Sequence, residues 1–110
     1  MTEDHRTFVV AGVELPRPPA LWAGKSLAEP GAHRFTGTDR TGVVVDELVL
    51  HETVTRSAAD AVRVLDRRGL GVHFIIAEDG SVDQHADPAL DRLAHAGRFH
   101  NPTSVGIELT

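Results

Sequence analysis

The sequence predicts a small α/β domain, from three strand-like segments and one segment of helical spacing that follows the first of them. Residues 43–50 and 71–78 are largely apolar runs, as in strands that are buried on both faces. Residues 104–110 alternate side chains with the period of a strand. A chain of 110 residues forms one core and leaves no room for a second domain.

The composition is that of a globular protein, and it narrows the range of partners. It is 41% hydrophobic and 25% charged, which is too apolar for a disordered chain. A formal net charge of -5 without a basic stripe disfavours nucleic acid and anionic membranes. Because cysteine is absent, any metal would use His and carboxylate ligands. An acidic N-terminus and the lack of a membrane-spanning stretch predict a cytoplasmic protein, unless another route exports it.

Residues 1–45 are predicted to form an irregular segment, the N-terminal wrap, around a domain of residues 46–110. Within it, residues 7–15 are interpreted as a short strand or an extended lead-in, and the prolines that follow are expected to exclude regular pairing. Trp22 and Phe35 are the expected anchors of the wrap on the core. Long loops of this kind often form lids or walls of a site.

Local signals predict a helix, a hairpin and a last strand. Thr55 or Ser57 caps the helix and Gly69 ends it. An Asp79-Gly80 turn predicts a hairpin with a return strand from residue 81 to about residue 85. The last strand is expected to place Val105, Ile107 and Leu109 on one face, and Gly106, Glu108 and Thr110 on the other.

His51 stands where the first apolar run ends. An imidazole fixed at a strand end suits a metal ligand or an acid/base group. The alternative is a core histidine that is bonded to a backbone carbonyl. The residues of this segment alone leave both interpretations open.

The ordered motifs LVLHETVT, GVHFIIAEDGSV and LAHAGRFHNPTSVGIEL carry a family resemblance. Over about residues 46–110 the chain resembles the zinc-dependent N-acetylmuramoyl-L-alanine amidases of the type 2 family, which include peptidoglycan recognition proteins. The resemblance implies a mixed β-sheet flanked by helices, with zinc in a groove at one edge. It also implies hydrolysis of the amide bond between N-acetylmuramic acid and L-alanine in peptidoglycan or muropeptides.

The resemblance assigns expected roles to individual residues. His51 matches a zinc ligand, and Glu108 matches an acidic residue that acts as general base or acid. His95 matches a residue that lines the substrate groove, and Asn101 is expected to order its loop or to bind substrate. Alternation also places Glu108 opposite the apolar face, although a solvated charge on an edge strand is the alternative. Val72 replaces a tyrosine found in many members, which favours the branch that uses Glu.

The remaining histidines match no metal ligand of the family. His73 lies in the GVHF segment and is expected to be structural. His5, His33 and His85 are expected on the surface. His100 precedes the last strand, and neither it nor His95 is expected to be recruited as a zinc ligand.

Family members continue past the last strand into a segment that supplies further zinc ligands, whereas this sequence ends at Thr110. Three explanations are open: a fragment of a longer amidase, a site completed by a partner chain, or a relative that binds muropeptides without cutting them. An interaction domain is a further hypothesis, in which the last strand is an exposed edge that pairs with a second copy or another chain. An uncovered apolar face of the sheet is expected, unless the wrap covers it.

Overall fold

The computed structural model describes residues 6–110, which form a mixed four-stranded sheet with one helix on one face. In chain order the helix and strands are β1 (Thr7–Val10), β2 (Val13–Pro16), β3 (Thr38–Asp39), β4 (Glu47–Glu52), α1 (Ala58–Arg68), β5 (Phe74–Ile76), β6 (Val82–Gln84), β7 (Asp91–Arg92) and β8 (Ser104–Leu109). One-turn 3-10 helices span Pro19–Leu21 and Asn101–Thr103. Among these residues, no helix has the length and apolar character needed to cross a bilayer.

The strand order in the main sheet is β4–β8–β5–β6. β4 and β5 run parallel to β8, and β6 runs antiparallel to β5. Parallel neighbours need a crossover connection, and α1 lies in the connection from β4 to β5. The predicted α/β class with a mixed sheet is confirmed.

The local signals placed α1 and the β5–β6 hairpin correctly. The hydroxyl of Ser57 accepts a hydrogen bond from the backbone N–H of Asp60 at 3.1 Å. Gly69 ends the helix with a φ of 69°, a left-handed conformation that glycine adopts without strain. Both boundaries follow from hydrogen bonds that the local sequence can satisfy by itself.

The prediction that residues 43–50 form a central strand buried on both faces is wrong. β4 begins at Glu47 and lies at the sheet edge, paired with β8 alone in the described sheet. Leu48 and Leu50 point away from α1 and are 71% and 64% exposed. The last strand is likewise not the exposed edge, because β4 and β5 flank it. An apolar run indicates a strand, but its place in the sheet depends on pairing with distant segments.

The wrap begins with a hairpin that the sequence analysis excluded. β1 pairs with β2 from Val10 opposite Val13 to Thr7 opposite Pro16. Ala11 and Gly12 have φ values of 55° and 78°, as a two-residue hairpin turn requires. A proline that is the last residue of its strand is compatible with this pairing.

Two buried arginines fix the wrap to the rest of the fold. Arg17 donates to the carbonyl oxygens of Lys25 and Val82, at 2.8 and 2.7 Å. Arg40 donates to the carbonyl oxygen of Ser104 at 2.8 Å. A guanidinium carries five donors and therefore suits a site rich in backbone carbonyls.

Of the two expected anchors of the wrap, Phe35 is confirmed and Trp22 is wrong. Phe35 is 5% exposed and packs in the core between α1 and the sheet, whereas Trp22 is 44% exposed. The Trp22 indole instead donates to the carbonyl oxygen of Arg17 at 2.9 Å. The buried members of the core are Phe35, Ala61, Val72, Ile75, Ala86 and Leu93.

Candidate active site

A cavity of about 190 Å³, called the cleft below, opens between α1 and the side of the sheet formed by β4 and β8. The α1 residues in its wall include Leu65 and Arg68. The side chains of chemical interest in its wall are His51, Val72, His95 and Glu108. The cleft therefore brings together three of the four site residues predicted from the sequence.

His51 and Glu108 are register partners on adjacent parallel strands. Paired residues of parallel strands project from the same face of the sheet, and here that face is covered by α1. His51 is half-buried, and Glu108 is 6% exposed. The imidazole is thus at the rim of the sheet, on the same side as the carboxyl group.

Glu108 is an unusual carboxyl group because it is nearly buried and no described residue donates a hydrogen bond to it. Burial raises the pKa of Glu108, while the nearby His51 acts in the opposite direction. The alternative interpretation, a solvated charge on an edge strand, is wrong because β8 is central. A buried carboxyl group of raised pKa that faces a cavity is typical of an acid/base residue.

His95 contacts both neighbouring strands through its ring nitrogens. Its Nδ1 lies 3.0 Å from Nε2 of His51, and its Nε2 lies 3.0 Å from Oγ of Ser104. The rings of His51 and His95 are nearly perpendicular, at 87°. Burial, together with the charges of His51 and other neighbours, lowers the pKa of His95 to about 4. His95 is therefore neutral at physiological pH.

The loop before β8 delivers His95 to the cleft. The Asn101 side-chain oxygen accepts from the backbone N–H groups of His95 and Ala96, at 3.1 and 2.8 Å. Asn101 orders this loop and is not part of the cleft wall. Its predicted contact with substrate stays a prediction, as does that of His95.

Sequence reasoning missed Ser104 and the role of Gly106. A Cβ atom on Gly106 would lie 2.8 Å from Nδ1 of His95, so the glycine makes room for the ring. Alternation already placed Gly106 on the same face as Glu108. No local signal indicated that the loop would fold back over this face.

The other described histidines have structural partners. His73 is fully buried, donates from Nε2 to the carbonyl oxygen of Asp91 and accepts from the N–H of Gly106 at Nδ1. His100 bonds Glu47 at 2.8 Å. The prediction that His85 lies on the surface is wrong, since it is 4% exposed, whereas the predicted His5 lies outside the described residues.

His85 is buried because it bonds to His33 in the wrap. Its Nδ1 lies 3.1 Å from the carbonyl oxygen and 3.2 Å from Nδ1 of His33. Nε2 of His33 lies 2.8 Å from the carboxylate of Asp66 on α1. His33 is partly exposed, so the surface prediction for this residue holds in part.

The described residues do not form a complete metal site. Within residues 6–110, no three His, Cys, Asp or Glu side chains are arranged to hold a metal ion. His51 and His95 bond each other, so these two nitrogens do not converge on a shared third point. A catalytic zinc has three protein ligands as a rule, and this donor set alone does not fit one.

Comparison with known proteins gives one match. A family model described as N-acetylmuramoyl-L-alanine amidase matches residues 40–110, which is more than half of the chain. No curated protein and no solved structure matches the chain. The family match confirms the resemblance on which the sequence analysis relied.

Proposed function

Because the chain belongs to the N-acetylmuramoyl-L-alanine amidase family, we propose that the protein hydrolyses the amide bond between N-acetylmuramic acid and L-alanine in peptidoglycan or muropeptides. The observation that carries this proposal is the Glu108 carboxyl group, buried beside His51 at the cleft without a hydrogen-bond donor. A structural carboxylate in such a place would normally be paired or hydrogen-bonded. An unpartnered one is suited to a reaction in which it exchanges protons.

In the proposed reaction, Glu108 moves protons between water and the departing amine. Its carboxylate takes a proton as the water oxygen bonds to the amide carbonyl carbon. The carboxylic acid then returns that proton to the amide nitrogen as the C–N bond breaks, which releases the lactyl carboxylic acid and the amine of alanine. Burial moves the pKa of Glu108 towards neutrality, where a group can both accept and donate a proton.

Zinc enters this proposal through His51, as one ligand of the ion. Since residues 6–110 contain no group of three donors, the remaining ligands would come from other residues of the protein or from a partner chain. A bound zinc ion would polarise the amide carbonyl and activate water. The proton transfers assigned to Glu108 are independent of where the other ligands lie.

The test is an assay of the protein with a defined muropeptide, with added zinc or with a chelator, and mass spectrometry of the products. We expect the free stem peptide and the free muramic acid sugar to appear together, in the zinc arm alone. Glu108→Gln is the matched variant, because glutamine keeps the shape of the side chain and cannot carry the proton. Zinc-loaded protein that leaves the muropeptide intact would refute the hydrolase.

A second candidate is a muropeptide-binding module without catalysis. The incomplete donor set of residues 6–110 favours it. Calorimetric titration with the same muropeptide separates the two functions, since a module would bind it and never release a product. Product formation in the zinc arm would exclude the module.

A further inference from the structure

Ser104, His95 and His51 form one hydrogen-bonded chain across the floor of the cleft. Oγ of Ser104 lies 3.0 Å from Nε2 of His95, and Nδ1 of His95 lies 3.0 Å from Nε2 of His51. A neutral imidazole carries hydrogen on one nitrogen and a lone pair on the other. Two arrangements of the hydrogens are therefore possible, which run along the chain in opposite directions.

The surroundings of Ser104 distinguish the two arrangements. Its side chain is fully buried, and His95 is the one described partner of its hydroxyl group. If Nε2 of His95 donated to Ser104, the hydroxyl hydrogen would be left without an acceptor in a buried place. Leaving a buried donor unpaired is more unfavourable than leaving a second lone pair of an oxygen unused. The hydroxyl therefore donates.

We propose that Ser104 and His95 are positioning residues that hold His51 with its hydrogen on Nδ1. The Ser104 hydroxyl donates to Nε2 of His95, and Nδ1 of His95 then donates to Nε2 of His51. The lone pair of His51 at Nε2 is occupied by this bond. Nδ1–H of His51, which no described residue binds, is available to an acceptor on a ligand.

The backbone confines the His95 ring to this orientation. A Cβ atom on Gly106 would lie 2.8 Å from Nδ1 and 2.9 Å from Cγ of the ring, so the ring lies directly against β8. Asn101 fixes the backbone of His95 from the other side. Both contacts limit rotation of the ring away from His51.

The assignment of a ligand to Nδ1–H of His51 rests on the proposed function. In that case the acceptor is the carbonyl oxygen of the scissile amide, whose negative charge grows as water adds. The positions of the hydrogens themselves are independent of any activity. They also account for the poor fit of this site to a metal, since His95 already occupies Nε2 of His51.

The experiment is long-range ¹H–¹⁵N correlation of the histidine rings at pH 8, which reports which nitrogen carries the hydrogen. We expect Nδ1–H for His51 and His95, and Nε2–H for His73, whose buried bonds make it an internal reference. Ser104→Ala admits a water that can donate or accept, so both hydrogen positions should become populated at His95 and His51. Ser104→Thr retains the hydroxyl and should restore the pattern.

Nε2–H at His51 in the unmodified protein would overturn the proposal. So would a Ser104→Ala spectrum that equals the original while the backbone amide spectrum shows the same fold. His95→Phe, which keeps a ring but no nitrogen, should release His51 from Nδ1–H even if the alanine variant folds poorly. None of these readouts requires hydrolysis, so they can fail or succeed separately from the muropeptide assay.

Discussion

A pair of bonded histidines lies near each edge of the main sheet, and the two pairs differ in what surrounds them. His51 and His95 meet in the cleft beside Glu108, and His33 and His85 meet where the wrap contacts β6 and α1. The second pair ends at Asp66, a carboxylate that is half exposed and already bonded. Two imidazoles at 3 Å are thus not enough to indicate a site. The buried carboxyl group without a donor is the distinguishing feature.

The largest expected effect separates the two carboxyl groups of this comparison. Glu108→Gln should lower the rate of muropeptide hydrolysis by about 10²–10⁴-fold, the usual contribution of a positioned acid/base group. Asp66→Asn, at the other pair, should leave the rate unchanged. Initial rates of amide hydrolysis measure both. Equal losses in the two variants would remove the distinction.

Two glycines that make room for a ring provide the next contrast. A Cβ atom on Gly71 would lie 2.6 Å from the Cβ of Phe35, which packs against His33 and His85. Gly71→Ala should therefore destabilise the core by about 1–3 kcal/mol in urea unfolding. Gly106→Ala should displace His95 and slow hydrolysis more than it lowers stability. The reverse order of effects would contradict the roles given to the two regions.

The pH dependence of stability should reveal the buried His85. Burial lowers the pKa of His85 below its ordinary 6.5, although the hydrogen bond to the carbonyl oxygen of His33 partly opposes this. The unfolded chain then binds more protons than the folded one, so stability is lost as the pH falls below about 6.5. His85→Gln should show a shallower loss between pH 8 and pH 5 in thermal unfolding. An unchanged slope would mean that His85 protonates freely in the fold.

The smallest expected effect is a gain in stability at the active site. Since the pKa of Glu108 is raised, the folded state binds its proton more tightly than the unfolded state, and stability falls as the pH rises above 4.5. Glu108→Gln should therefore be more stable than the original at pH 7, by about 1 kcal/mol or less, or roughly 4 °C in Tm. The difference should vanish below pH 4.5. A lower Tm at pH 7 would instead show that the carboxylate stabilises the fold.

Sequence reasoning succeeded where a structural feature depends on neighbours along the chain. Ser57 and Gly69 bound α1, and Asp79-Gly80 closes a hairpin, because local hydrogen bonds and φ preferences decide those features. The shared face of His51 and Glu108 combines strand alternation with the family resemblance. These steps were enough to predict the composition of the cleft.

It failed where distant segments decide the outcome. The apolar side chains of β4 suggested a central strand, yet no periodicity reveals which strands pair with it. The burial of His85 depends on the wrap, and the position of His95 depends on a loop closed by Asn101. Pro16 was taken as a barrier to pairing although it ends its strand. Each failure concerns a tertiary contact that the one-dimensional pattern does not contain.

Arg40 links the first part of the chain to the last strand. Its guanidinium donates to backbone oxygens of Asn101 and Ser104, on either side of the short 3-10 turn that leads into β8. Shortening the protein to residues 46–110 would therefore remove the donor that sets the entry of β8, and with it the alignment of Ser104 and Glu108. A minimal engineered version should begin upstream of residue 40.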